Sequence, residues 1–303
     1  MHKKSDYKLA QLIYDEVLKV EPHNSQALYL LGNLYYELKE NEAARDVLES
    51  QALMSQPDVA TQTLLAATLL KLNQHERALP LFLAVTKSTP MSTDTHHNLA
   101  ICYQRIGRFS EAASSYEKAL ELSPQSGPEK LGLARCALEL NHPDAAIEIL
   151  SRCILESPDY FPAYSNLARI LDQRGNISQA ATVLQACLKN GSHDTKIIHE
   201  IARLQFALCH WPQAEDLLRR SLAVEPENIN IKASLAATLT HQSKLDEAEI
   251  LWRQTINHRS DDIATLVNYS NYLIERGKFD EAITYAKRSV ALKPDMPEAW
   301  TGR

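Results

Sequence analysis

One column of alanines constrains this chain more than any other feature. Ala10, Ala44, Ala78, Ala112, Ala146, Ala180, Ala214, Ala248 and Ala282 recur at a spacing of 34 residues. A position that is always small marks a place where two backbones cross so closely that a larger side chain would force them apart. A second column, Gly32, Ala66, Ala100, Ala134, Ala168, Ala202, Ala236 and Ser270, is small throughout and is expected to face the first across a hairpin. Directly before it runs an apolar column, Leu31, Leu65, Leu99, Leu133, Leu167, Ile201, Leu235 and Tyr269. Three columns in one register do not arise by chance. The chain is built of internal repeats and grows in one dimension rather than around a central core.

Local signals follow the same period. TDTHHNLAICYQRIGRFSEAASSYEKALELSPQS, from Thr93 to Ser126, reads as two amphipathic helices with a turn at Gly107. The column Asn24, Asp58, Ser92, Ser126, Tyr160, Asp194, Asn228, Asp262 and Met296 holds N-cap residues except at Tyr160 and Met296, where Asp159 and Asp295 stand one residue earlier. Pro22, Pro90, Pro124, Pro158, Pro226 and Pro294 are placed to stop the second helix of each pair, with Pro57 displaced by one. Gly107, Gly175 and Gly277, with Asn73 and Asn141 elsewhere, supply residues that tolerate left-handed geometry in the turn. Pro80 falls several residues into a predicted helix, where a kink is expected.

Leu99, Ala100, Tyr103, Phe109, Ala112, Tyr116, Ala119 and Pro124 fall where the tetratricopeptide repeat (TPR) signature wants them, and the period is that of the signature. The chain resembles the TPR family over nearly all of its 303 residues. The resemblance implies an all-α fold, a right-handed α-solenoid, or superhelix, of stacked helix-turn-helix repeats whose first helices line a concave surface. Residues 1–24 then supply the second helix of a partial repeat. Residues 25–296 form eight repeats starting near Ser25, Val59, Thr93, Gly127, Phe161, Thr195, Ile229 and Ile263, and 297–303 begin a ninth. No closing helix follows the eighth repeat in the sequence, so the chain is expected to be a piece of a longer protein.

Composition narrows the function classes. A net charge of −6 and few glycines disfavour a nucleic-acid binder and phosphate-cradling loops. No apolar run is long enough to anchor or cross a membrane. The five cysteines lack zinc spacing, and their odd number points to a reducing cytoplasm. Cys102 with Cys136, and Cys153 with Cys187, occupy equivalent places in adjacent repeats, about 10 Å apart at helix packing distance and out of reach of a disulfide. They read as buried small apolar residues. His96 and His97 point to different faces of a helix, and no protease, hydrolase or P-loop motif occurs. No catalytic constellation, metal site or cofactor is expected in this segment.

The candidate site lies on the concave surface that the resemblance implies. One inward column carries Arg135, Arg169 and Arg203 in three consecutive repeats. Such a row suits a carboxylate-rich or extended peptide held by bidentate bonds. The same residues also have local partners, because Glu200 lies three before Arg203 and Asp172 three after Arg169. A second column carries Asn98, Asn166 and Asn268, interrupted by Glu200 and Ser234. It resembles the asparagine rows of TPR regions in protein O-linked N-acetylglucosaminyltransferases, which grip substrate backbone amides; the plain alternative is solvent-exposed asparagine. Leu138 and Phe206 are among inward apolar residues that either form partner pockets or pad the inner wall. The carboxylate clamp of chaperone-binding TPR domains does not assemble, since His97, Ile101, Leu131 and Arg135 stand in its places.

Two functions follow. The first is a protein–protein interaction scaffold that binds a partner protein or an extended peptide, acidic ones included. The second is the substrate-binding or regulatory front end of a larger enzyme, resembling bacterial O-GlcNAc-transferase-like glycosyltransferases or TPR-sulfotransferases.

Overall fold

The computed structural model describes residues 2–54, 58–192, 194–258 and 261–292. Pro57, Ser260, Pro294, Asp295, Met296 and the start of a ninth repeat at 297–303 lie outside them. Among the described residues every regular element is an α-helix. The chain divides into two compact units, Met1–Ser157 and Pro158–Arg303.

In the first unit, α1 (His2–Val20) packs on α2 (Ser25–Glu37), and α2 forms a hairpin with α3 (Asn41–Met54). The hairpins α4 (Val59–Lys71)/α5 (His75–Ser88), α6 (Thr93–Arg105)/α7 (Phe109–Leu122) and α8 (Gly127–Glu139)/α9 (Pro143–Glu156) follow. The second unit holds α10 (Phe161–Gln173)/α11 (Ile177–Lys189), α12 (Thr195–Ala207)/α13 (Trp211–Val224), α14 (Ile229–His241)/α15 (Leu245–His258) and α16 (Ile263–Glu275)/α17 (Phe279–Leu292). Each unit is a solenoid of hairpins stacked in chain order. The second helix of one hairpin packs on the first helix of the next, and first helices touch first helices, as α12 with α14 and α14 with α16.

The alanine column explains why the hairpins close. Ala44, Ala78, Ala112, Ala146, Ala180, Ala214 and Ala248 are completely buried. The facing column, Ala66, Ala100, Ala134, Ala168, Ala202 and Ala236, is buried as well. Gly32 replaces alanine there because a Cβ would lie 2.7 Å from Leu48. Cys102, Cys136, Cys153 and Cys187 are free and buried among the same helices. Burial pushes the Cys102 thiol up to about 12 and that of Cys136 to about 11, so neither is a nucleophile at neutral pH.

Helix starts follow the capping column except at Ser126 and Tyr160. Asn24, Asp58, Ser92, Asp194, Asn228 and Asp262 each accept a backbone N–H from the first turn. Ser126 does not: its hydroxyl donates to the buried Glu129 carboxylate. Pro128, at the second helical position, has removed one of the two N–H groups that a cap would have served. No side chain caps α10 at Tyr160; Asp159 contributes only its carbonyl, which accepts from Phe161 N–H at 3.0 Å. Pro80 sits within α5, which runs unbroken from His75 to Ser88.

The turns inside the hairpins carry more strain than the sequence signalled. Lys39, Asn73, Gly107, Asn141, Gly175, Cys209, Ser243 and Gly277 all have φ between 57° and 84°. The next residue returns its N–H to a carbonyl five residues back, as Glu40 to Tyr35 at 2.9 Å and His210 to Gln205 at 2.9 Å. That closure requires left-handed geometry whatever the residue, so Lys39, Cys209 and Ser243 are held in it without glycine's freedom.

Candidate functional site

The inward positions of the second unit border open space. Three cavities adjoin one another along the first helices α12, α14 and α16. The first, of about 210 Å³, is bordered by Thr240, His241, Asn268, Asn271 and Glu275. The second, of about 190 Å³, is bordered by Ala202, Arg203, Phe206, Leu218, Ala237 and Asn268. The third, of about 220 Å³, is bordered by His199, Asn230, Ser234, Trp252 and Asn268. Asn268 borders all three, with its half-buried amide where they meet. Small residues make room for them: Ala202, Ala237 and Ser234 stand where longer side chains would close the surface.

Two polar arrangements hold this surface in place. Arg203 on α12 bonds to Glu200 on its own helix and to Asp172 on α10, each at 2.6 Å. Bonding to Glu200, then to Asp172, raises its affinity for its proton above that of an ordinary guanidinium. His199 on α12 meets Ser234 on α14, with Nε2 and Oγ 2.9 Å apart, and burial lowers the His199 pKa. Ser234 is not thereby a nucleophile. It lies in the middle of α14, where neighbouring N–H groups are engaged in helix bonds and cannot stabilise an oxyanion.

The arginine column divides. Arg203 is held between two carboxylates. Arg135 on α8 and Arg169 on α10 are exposed and make no hydrogen bond or ion pair among the described residues. Asp172 therefore serves Arg203 across the hairpins rather than Arg169 within α10. The forked guanidinium has donors for both carboxylates, and the short aspartate side chain is used once.

The asparagine column divides too. Asn166 turns back to donate to Pro162 O of its own helix at 2.9 Å. Asn98, in the first unit, is half-buried, as is Leu138. The column is broken at Gly132, where a Cβ would lie 2.3 Å from the Tyr116 ring. Asn268 alone of the three borders the adjoining cavities.

Phe206 belongs to an aromatic cluster that the sequence reading did not single out. Trp211 and His241 stack with ring centroids 4.7 Å apart at 10°. Phe206 stands edge-on to both, at 4.8 and 5.1 Å. A usable signal existed, because Phe206 and His241 end successive first helices and Trp211 opens the helix between them. Glu275 stands one repeat after His241 and was visible in the same way. Among the described residues no group of three or more His, Cys, Asp or Glu side chains is placed to hold a metal ion. No described helix is long and apolar enough to cross a membrane.

Comparison with known proteins agrees with this architecture. Over 286 residues the chain is 20% identical to the BBSome complex member BBS4 of Bos taurus, covering 91% of this chain and 53% of that protein. It spans about half or less of the length of the first curated relatives it matches. The C-terminal part of a TPR repeat-containing protein from Cytophaga hutchinsonii superposes with a TM-score of 0.62 at 16% identity, over 78% of this chain and 97% of that one. YrrB, described as a TPR protein with an unusual peptide-binding site, superposes with a TM-score of 0.51 at 14% identity, over 62% of this chain and 97% of its own. Models of the tetratricopeptide repeat match residues 2–68, 105–171 and 143–197, then 63–127, and finally 263–296. The buried alanine ladder, the stacked hairpins and these matches together make the chain a member of the tetratricopeptide repeat family.

Proposed function

We propose that this chain is an interaction scaffold whose first-helix surface on α12, α14 and α16 holds an extended segment of a partner protein. The observation that carries this reading is the run of three adjoining cavities meeting at Asn268. An amide is donor and acceptor at once, so Asn268 can bond to the backbone of a bound strand while neighbouring cavities take its side chains. The family resemblance and the peptide-binding site named for YrrB support the same reading.

Photo-crosslinking tests it. A benzophenone amino acid replaces Asn271 on the proposed surface and, separately, Thr284 on the exposed side of α17. Adducts with a partner are expected from position 271 and not from 284. Adducts from 284 alone would move the binding surface to the second helices and overturn the reading.

A further inference from the structure

Building on the interaction surface proposed above, the geometry points to a bound segment that carries a positive side chain, arginine or lysine, beside an aliphatic one. The cavity between α14 and α16 has one formally charged side chain on its border, Glu275. That carboxylate is exposed and makes no hydrogen bond or ion pair among the described residues. Its neighbour Arg276 is engaged elsewhere, with Asp246 at 2.5 Å and Glu249 at 3.0 Å. The amide carbonyls of Asn268 and Asn271 add acceptors to the same border.

His241, stacked on Trp211, borders the same cavity, so its ring flanks the side chain that Glu275 holds. Glu275 recognises an arginine or lysine side chain as a carboxylate does, by opposite charge and charge-assisted hydrogen bonds.

The adjoining cavity is of another kind. Ala202, Phe206, Leu218 and Ala237 make it apolar, and its one charged border residue, Arg203, is already neutralised by two carboxylates. It suits an aliphatic side chain. In an extended strand side chains two residues apart face the same way, about 7 Å from each other, so one strand can offer a side chain to each of two cavities that share Ala237 and Asn268. An acidic segment would meet Glu275 without a compensating free cation. The arginine column, read from sequence, pointed to an acidic partner; with Arg203 occupied, this surface favours the opposite charge.

Selection of random eight-residue peptides displayed on phage, against the intact chain, tests the inference. The expected pool is rich in arginine or lysine two residues from leucine, isoleucine, valine or methionine. Glu275→Gln should erase the basic preference and keep the aliphatic one, while Phe206→Ala should do the reverse. A selected peptide should bind Glu275→Gln roughly two- to fivefold more weakly by fluorescence anisotropy, as loss of one exposed charge pair implies. Glu275 is exposed at a helix end, so its replacement leaves the fold intact, which circular dichroism checks. An acidic pool, or a basic preference that survives Glu275→Gln, overturns the inference and leaves the binding surface standing. No enrichment, or an equal pool on the doubly substituted Asn268→Ala/Asn271→Ala chain, overturns the binding surface itself and the inference with it.

Discussion

Gly132 in the first unit and Asn268 in the second occupy the same register four repeats apart, and they lead opposite lives. The aromatic residue before each also shares a register: Tyr116 on α7 and Trp252 on α15. Tyr116 donates its hydroxyl to Gln104 at 3.2 Å, and Trp252 donates its indole N–H to Thr240 at 3.1 Å. Gln104 and Thr240 again correspond. Gln104 lies on α6 and Thr240 on α14, so each ring bonds to the first helix of its own hairpin. Tyr116 then takes the space of a Cβ at position 132, while Asn268 keeps its side chain and borders three cavities. The alanine ladder is identical in both units. One register thus holds a ring over a glycine in the first unit and an asparagine beside open cavities in the second.

A second contrast concerns how the hairpins are joined. Glu215, almost buried on α13, accepts from Lys244, Arg219 and Gln242 at 2.7–2.9 Å. At the same register α5, α7 and α9 of the first unit carry Leu79, Ala113 and Ile147, while α3 carries Arg45. Burial alone would raise the Glu215 pKa. The three bonds outweigh it and hold the carboxyl down to about 2, against an ordinary value of 4.5. A carboxyl depressed by folding stabilises above its unfolded pKa and loses that contribution as pH falls towards its folded one.

The largest test of this contrast is acid. Between about pH 4.5 and 2 the second unit should lose on the order of 3 kcal/mol around α13–α15. Amide hydrogen exchange should show protection lost there while helices α5–α9, apolar at that register, keep theirs. Equal loss in both units would remove the contrast. Next in size is the exchange of the two register-mates. Gly132→Asn should cost about 2 kcal/mol, because its Cβ collides with the Tyr116 ring. Adding Tyr116→Leu should recover part of that loss in a denaturant titration, and no recovery would mean that the ring is not the obstacle.

Smaller effects address the turns, which the units share. Lys39→Gly in one unit and Cys209→Gly in the other should each stabilise by about 1 kcal/mol, since both residues sit at φ near 60°. A thermal melt that fell in either variant would show that the turn is not strained. Smallest is Asn268→Gly, which should cost only the difference in helix propensity between asparagine and glycine, about 0.3 kcal/mol. A larger loss would make Asn268 a packing residue rather than a binding one.

Much of the fold was legible because its signals are short-range and repeated. Ala146 between two helices, Asp58 on an N-terminus and Gly107 in a turn each act on a few neighbouring residues, and the period of 34 multiplied the evidence. The exceptions were not legible. Ser126 looks like its fellow caps, yet Pro128 and the nearby Glu129 carboxylate redirect its hydroxyl. Cys209 and Ser243 carry no mark of the left-handed geometry that the hairpin closure imposes on them. On the proposed binding surface, Phe206 and Asn268 were visible as inward positions. The pairing of Arg203 with Asp172 was hidden, because it joins side chains 31 residues apart across two hairpins.

The sequence by itself determined the hairpin, its length and its stacking, because a side chain that must be small at every recurrence leaves the backbone one way to pack. Tertiary structure alone decided which inward side chains are already occupied and which stand open. That choice rests on distances between residues of different repeats, set by ring orientation and by competition for carboxylates, and no periodicity in the chain records it.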